Sequence, residues 1–127
     1  MLSVALSAVF DRQQAQSELH KLPLGMDALG KSRGVRDLAR HGDGFLVLAG
    51  PVNDPPDEKE IQSGDYSIYL WDGQNGLNKL ADLKPYGKKV KPEALLPLDG
   101  DTERIRVLLM FDGPKEGSPT PLEIKLK

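Results

Sequence analysis

This sequence of 127 residues contains no cysteine, so neither disulfides nor thiolate metal ligands can form within it. Histidine is confined to His20 and His41, too few for a histidine-rich metal centre. An excess of one charge is missing as well: 17 Lys and Arg stand against 19 Asp and Glu, a net charge of −2, with the basic residues scattered among acids. Nucleic-acid surfaces need clustered cations in excess, so a nucleic-acid partner is not expected. No apolar run approaches the ~20 residues that a membrane-crossing helix needs, so no membrane partner is expected either. The apolar stretch Met1 to Phe10 lacks a basic leading region and is interrupted by Ser3 and Ser7. It reads as a strand rather than a targeting segment, which favours a cytoplasmic location. A glycine-flanked nucleophilic serine and a phosphate-binding loop are both absent, which removes the main support for serine-hydrolase or nucleotide-dependent chemistry.

What is present is a soluble-type composition, 39% hydrophobic and 28% charged, which fits one globular domain rather than a disordered chain. A domain of this length buries roughly two-thirds of its unfolded-chain surface if it folds alone. The chain is organised around Gly34-Val35-Arg36-Asp37-Leu38-Ala39-Arg40-His41-Gly42-Asp43-Gly44-Phe45-Leu46-Val47-Leu48-Ala49-Gly50-Pro51. It predicts a strand with charge at its start, a tight turn at Gly42-Asp43-Gly44, and a strand buried on both faces from Phe45 to Ala49. Much of this returns downstream. Lys91-Pro92-Glu93-Ala94-Leu95 precedes a turn at Asp99-Gly100-Asp101, and a strand from Ile105 to Phe111 ends at Asp112-Gly113-Pro114.

Residues 2 to 10 alternate, with Leu2, Val4, Leu6, Ala8 and Phe10 on one side, and so predict a half-buried strand. Asp11 to Gln16 reads as a loop. Leu19 to Leu24 reads as a short edge segment limited by Pro23, preferred over a helix from Arg12 to Leu22 because no apolar stripe of helical period runs there. Gly25 to Gly34 is glycine-rich and reads as a loop. Pro51 to Asp65 holds three prolines and five acids and predicts a long exposed insertion. Tyr66 to Trp71 and Leu77 to Leu83 predict strands joined at Gln74-Asn75-Gly76, and Ala94 to Leu98, Arg104 to Phe111 and Leu122 to Leu126 three more. The expected fold is therefore all-β, made of antiparallel propeller-like blades: a partial blade over 1–24, a full four-stranded blade over 34–83 and a three-stranded partial blade over 91–127.

The motifs Gly34-Val35-Arg36-Asp37-Leu38, Leu48-Ala49-Gly50-Pro51, Tyr69-Leu70-Trp71-Asp72-Gly73, Lys91-Pro92-Glu93-Ala94-Leu95 and Phe111-Asp112-Gly113 occur in that order over about residues 30 to 115. In this order and spacing the chain resembles the C-terminal portion of the β-propeller family catalogued as domain of unknown function 3616. The resemblance implies a propeller and leaves the activity open, and the family's members are usually much longer. Ring closure takes four to eight blades. About two blades leave apolar faces bare, so the chain is expected either to be part of a longer propeller or to assemble with copies of itself.

In propellers the innermost strand lines a central channel, and its start faces the rim. Asp37 and Glu93 are expected at corresponding places there, with Arg36 and Lys91 within two residues. Such a mixed-charge ring suits a phosphate, a carboxylated ligand or a hard cation such as Ca2+, for which Asp37 and Glu93 are the candidate oxygen ligands. Arg36 is favoured over Lys91 for an oxyanion because its planar fork binds bidentately. Set against this is a purely structural reading in which the acid and base tie blade to blade. The leading function is a non-catalytic module binding a small ligand or a protein partner. The alternative is a metal-assisted phosphoesterase, since Glu93-Ala94-Leu95 distantly resembles the Glu-Gly-Leu motif of phytase-like and esterase-like propellers. Asp99 to Glu103 is a hairpin turn rather than a calcium loop, since Arg104 stands where such a loop needs glycine. Asp54, Asp57, Glu58 and Glu60 read as a solvated charge run, Tyr66, Tyr69 and Trp71 as core rather than a stacking platform, and His41 as a solvated turn residue.

Overall fold

The computed structural model describes residues 1–11, 14, 17–53, 60–113 and 115–126. Three antiparallel sheets follow one another along the chain, and no barrel closes. The first is a short hairpin of β1 (Leu2–Val4) and β2 (Ser17–Leu19). The second orders four strands in sequence: β3 (Arg33–His41), β4 (Gly44–Pro51), β5 (Ser67–Trp71) and β6 (Leu77–Asp82). The third orders β7 (Lys91–Gly100), β8 (Arg104–Asp112) and β9 (Thr120–Lys125). Among the described residues no helix is long and apolar enough to cross a membrane.

The turns form where the sequence supplies the right residues. His41 pairs with Gly44 across a tight connection whose first residue, Gly42, has φ +56°. A left-handed residue at this position matches the twist of the two strands, and glycine reaches it without strain. Between β5 and β6 the Asp72 carboxylate accepts the N–H groups of Gln74 and Gly76 at 2.8 and 2.9 Å. Between β7 and β8 Asp101 Oδ1 accepts those of Glu103 and Arg104 at 2.8 and 3.0 Å, so this acid-rich segment is a hairpin turn.

The strand β4 is the middle of the molecule. Leu46 and Leu48 on one face join Ile68, Leu95, Ile105, Val107, Leu109, Phe111 and Ile124 in the core between the second and third sheets. Val47 and Ala49 on the other join Tyr69, Trp71 and Leu24 beneath the N-terminal segment. Burying a side chain of this size contributes about 1.5–3 kcal/mol, so both faces matter. Gly50 is required by close approach, since a Cβ there would lie 2.4 Å from the Tyr66 ring.

Three expectations need correction. Residues 2–10 are not one strand: β1 stops at Val4, and a single helical turn, α1 (Leu6–Phe10), follows. Only Leu2 to Val4 pair with a neighbouring strand, β2, which is too short to extend the ladder; Phe10 is 77% exposed. The short edge strand lies at Ser17–Leu19 rather than over Leu19 to Leu24, because Leu24 turns inward into the second core. The insertion after β4 is not exposed throughout: Ile61 and Asp65 are buried, Ile61 N–H bonds to Lys88 O at 3.0 Å, and Gly64 N–H to Leu83 O at 3.1 Å. Asp54, Asp57 and Glu58 lie outside the described residues.

Candidate functional site

Of the strands in the two larger sheets, β3 and β7 make the closest approach, while β6 and β9 touch only sparsely. Each of these two neighbours is broken by a bulge near its start. In β3 the pairing with β4 slips between Val35 and Asp37, leaving Arg36 as the extra residue. In β7 the pairing with β8 slips between Pro92 and Ala94, leaving Glu93 as the extra residue. A bulge bends the strand and re-aims the extra side chain. The two side chains meet: Arg36 Nη1 lies 3.4 Å from Glu93 Oε1, and Arg36 Nη2 donates to Pro51 O. Glu93 therefore corresponds to Arg36, and the expected correspondence with Asp37 is one residue out of register.

Asp37 does different work. Its Oδ1 accepts the N–H of Leu38 and its Oδ2 the N–H of Leu95, both at 2.8 Å. The second bond crosses from β3 to the edge of β7 and satisfies a backbone donor that no strand pairs. Lys91 lies opposite Asp112 on β8, with Nζ 3.9 Å from Asp112 Oδ2 and a side chain 19% exposed. Of the four candidates, the structure thus brings Arg36 to Glu93, ties Asp37 to the backbone of the third sheet, and pairs Lys91 with Asp112.

The fit of Asp37 and Glu93 to a cation is poor. Ca2+ takes six to eight oxygen ligands. Here both Asp37 oxygens face N–H donors and Glu93 faces a guanidinium, and among the described residues no group of three or more Asp, Glu or His side chains gathers as a metal site. Anions are better served. The connection from β6 to β7 carries Lys84, Lys88 and Lys89 before Lys91. It is held to the end of the insertion by the Ile61 to Lys88 backbone bond and by a Lys88–Glu60 pair at 2.8 Å. Glu60 hydrogen-bonds the Lys88 ammonium and raises its pKa. Arg36 is tied to Pro51, at the other foot of the same insertion.

The residues that sequence reasoning missed lie at Arg33 and Asp65. Arg33 donates through Nε to Asp65 O and through Nη1 to Leu24 O, both at 3.1 Å, and through Nη2 to Gly64 O. Tyr69 Oη donates to the same Leu24 carbonyl at 2.6 Å. Asp65, 7% exposed, accepts the N–H groups of Ala28 and Gln62 at 2.9 and 2.7 Å. These side chains rivet the N-terminal segment and the end of the insertion onto the second sheet, beside a polar cleft of ≈ 530 Å³ that also exposes Lys79 and Asp82. No local motif marks them, since their partners lie far off in the chain and are mostly backbone groups, with the Tyr69 hydroxyl 3.4 Å from Arg33 Nη1. Tyr66, Tyr69 and Trp71 are core, at 2%, 5% and 4% exposure. His41 is half-buried rather than solvated, with Cε1 lying where a Cβ on Gly100 would come within 3.3 Å.

Compared with protein-family models, with curated proteins and with solved structures, the chain matches none.

Proposed function

We propose that this chain is a non-catalytic, propeller-type binding module that takes a small oxyanion, a phosphate or a polycarboxylate, at the end where β3 and β7 begin. The reading of the second and third sheets as blades draws support from their stacking face to face, from inner strands that lie close while the outer ones splay, and from the resemblance to the propeller family noted above. The observation that carries the ligand assignment is the Arg36–Glu93 pair. At 3.4 Å it is a long contact, and the arginine is 21% exposed, so an incoming oxyanion can replace Glu93 at Nη1 at small cost to the fold while Nη2 stays on Pro51 O. Lys91 and the lysines of the preceding connection add positive charge at this end. The phosphoesterase alternative loses ground, because Asp37 is committed to backbone donors and gives no open position for a metal-bound water.

Calorimetric titration of the chain with inorganic phosphate, citrate and calcium chloride tests the proposal. Citrate or phosphate is expected to bind, and Arg36→Ala to weaken that binding at least about tenfold, the loss of one charge-assisted contact of about 1.4 kcal/mol. Absence of anion binding, or binding unchanged in both Arg36→Ala and Lys91→Ala, refutes it. Calcium-dependent hydrolysis of a phosphate ester that disappears in Glu93→Gln would move the assignment to the phosphoesterase.

A further inference from the structure

The turn between β5 and β6, Asp72-Gly73-Gln74-Asn75-Gly76, holds the chain's one asparagine-glycine pair. Asparagine followed by glycine is prone to deamidation, because glycine has no side chain to keep its main-chain nitrogen away from the asparagine Cγ. Here the glycine is dictated by the turn itself, since a Cβ on Gly76 would run into Asp72 Oδ2. Asn75 is exposed at the rim of a cleft of ≈ 320 Å³ that it shares with His20 and Lys21, so water reaches its side chain. What stands against reaction is the bonding of the Gly76 N–H. It donates to Asp72 Oδ1 at 2.9 Å and Oδ2 at 3.0 Å, and the Asp72 N–H donates in return to Gly76 O at 3.0 Å.

We propose that Asn75 is a modification site, converted to isoaspartate by its own chain, and that Asp72 is the group that keeps it closed. The reaction needs only water. Gly76 N gives up its proton and bonds to Asn75 Cγ; the Cγ–NH2 bond breaks, and the amide nitrogen leaves as ammonia with that proton. Water then opens the cyclic imide. Attack at Cγ breaks the new bond and yields aspartate, whereas attack at the main-chain carbonyl breaks the original peptide bond and yields isoaspartate, whose main chain runs through Cβ and Cγ. Nothing is oxidised or reduced. The nucleophile is the deprotonated amide, and a carboxylate that holds this N–H opposes its ionisation both by charge and by the hydrogen bond that would be lost. Removing Asp72 therefore speeds the first step.

The same turn positions Trp71, which gives the modification a structural consequence. Trp71 Nε1 donates to Gln74 O at 3.0 Å. Its ring, 4% exposed, packs against Phe45 and edge-on to His20 in the core beneath the N-terminal segment. An isoaspartate at position 75 adds one main-chain atom to a loop whose ends are fixed by the pairing of Trp71 with Leu77. Gly76 then cannot keep its bonds to Asp72, the loop reshapes at Gln74, and the indole loses its acceptor. Conversion is thereby coupled to the cover of the second sheet. This turn lies at the end of that sheet opposite Arg36, so the inference is independent of the anion site.

Incubation of the full chain in warm, mildly alkaline buffer, followed by peptide mass spectrometry that separates asparagine, aspartate and isoaspartate, tests the proposal. Asn75 is expected to convert slowly in the unaltered chain and at least about tenfold faster in Asp72→Ala, which lacks the charge-assisted hydrogen bond. Asp72→Asn keeps an oxygen acceptor without the charge and should fall between the two; should Asp72→Ala fail to fold, its rate against the unaltered chain decides. Leu48→Ala weakens the fold without touching this turn, and with its fold verified by circular dichroism it should convert at close to the unaltered rate. Asn78, held in β6, should keep its amide throughout. Trp71 is the chain's single tryptophan, so its emission reports this turn, and it should shift to the red as isoaspartate accumulates. A rate unchanged or slower in the Asp72 variants, which would make Asp72 a bystander or the base that takes the proton, overturns the proposal. A Leu48→Ala rate as high as that of Asp72→Ala does the same, by assigning the reaction to unfolded chain. Emission that holds still while isoaspartate forms overturns the coupling to Trp71.

Discussion

Strands β4 and β8 occupy the same place in their sheets and have been treated differently by the rest of the chain. Phe45 to Ala49 is an unbroken apolar run, and from Leu46 to Ala49 every side chain is fully buried, alternately in one core and the other. Val107 to Phe111 is equally unbroken, yet only Val107, Leu109 and Phe111 are buried, and Leu108 and Met110 remain half-exposed. An alternating strand is the sequence of a sheet with one wet face, while a continuous run is that of a sheet covered twice. β8 mixes the two: Val107 to Phe111 is the continuous run, while Arg104 and Arg106 share its outer face with Asp99, Glu123 and Lys125, which makes that face the wet one.

The largest effect that tests this comparison comes from truncating the cores. Leu48→Ala removes a fully buried side chain between two packed sheets and should cost about 2–5 kcal/mol in chemical denaturation. Leu108→Ala, measured in dilute monomer, should cost less than about 1 kcal/mol, because the deleted group already touches water. Equal losses at the two positions would mean that the outer face of the third sheet is already covered within one chain, and the contrast drawn here would fall.

An intermediate effect separates the two ties between β3 and β7. Asp37→Ala leaves the N–H groups of Leu38 and Leu95 without their acceptor and should destabilise by about 1–3 kcal/mol. Arg36→Ala breaks only a long, partly exposed ion pair and one carbonyl contact, and should cost less, about 1 kcal/mol or below. A reversed order would show that the sheets are held through the bulge side chains rather than through the backbone, and would make Arg36 too structural to serve as a ligand group.

The strands from β3 onward could be read from the residues because their cues are local: alternation or apolar runs between glycine, asparagine and aspartate turns. The pattern of β8, with Ile105, Val107, Leu109 and Phe111 inward, holds as expected. What escaped was whatever depends on a distant partner. Residues 2–10 have a strand-like period, but the strand needs a neighbour, and β2 supplies one for three residues only. Asp65 reads as one more acid in a solvated insertion, since nothing nearby announces that Ala28, 37 residues earlier, will bring it an N–H group. The candidate site was legible at the level of its segments and not of its register. Two bulges shift the pairing by one residue each, and bulges leave no mark in a pattern of polar and apolar letters. Hence Arg36 and Glu93 were expected near each other, but with Asp37 in the wrong role.

The smallest expected effect contrasts an acid held by a buried hydroxyl in the second sheet with one held by an exposed cation in the third. Asp82 has its pKa lowered chiefly by the Ser67 hydroxyl, which donates to its Oδ1 at 2.6 Å, and secondarily by Lys79 at 2.9 Å. Asp99 has its pKa lowered chiefly by Arg106, in a pair whose side chains are about half exposed. A carboxyl whose folded pKa is depressed adds stability above its unfolded pKa of about 3.9, and that stability is lost as pH falls through the folded value. Both acids therefore support the fold at neutral pH and cease to do so in acid. They should part company in salt, because the Debye length shrinks to about 3 Å at 1 M and exposed charge pairs are screened while a direct hydroxyl hydrogen bond is not. Carbon-detected NMR titration should show the Asp99 pKa returning toward the ordinary carboxylate range in 1 M NaCl and the Asp82 pKa moving less. In Ser67→Ala the Asp82 value should rise at any salt concentration. Parallel salt responses would show that Asp82 is held mainly by Lys79, which would reduce the second sheet's acid anchor to the same exposed electrostatics as the third's.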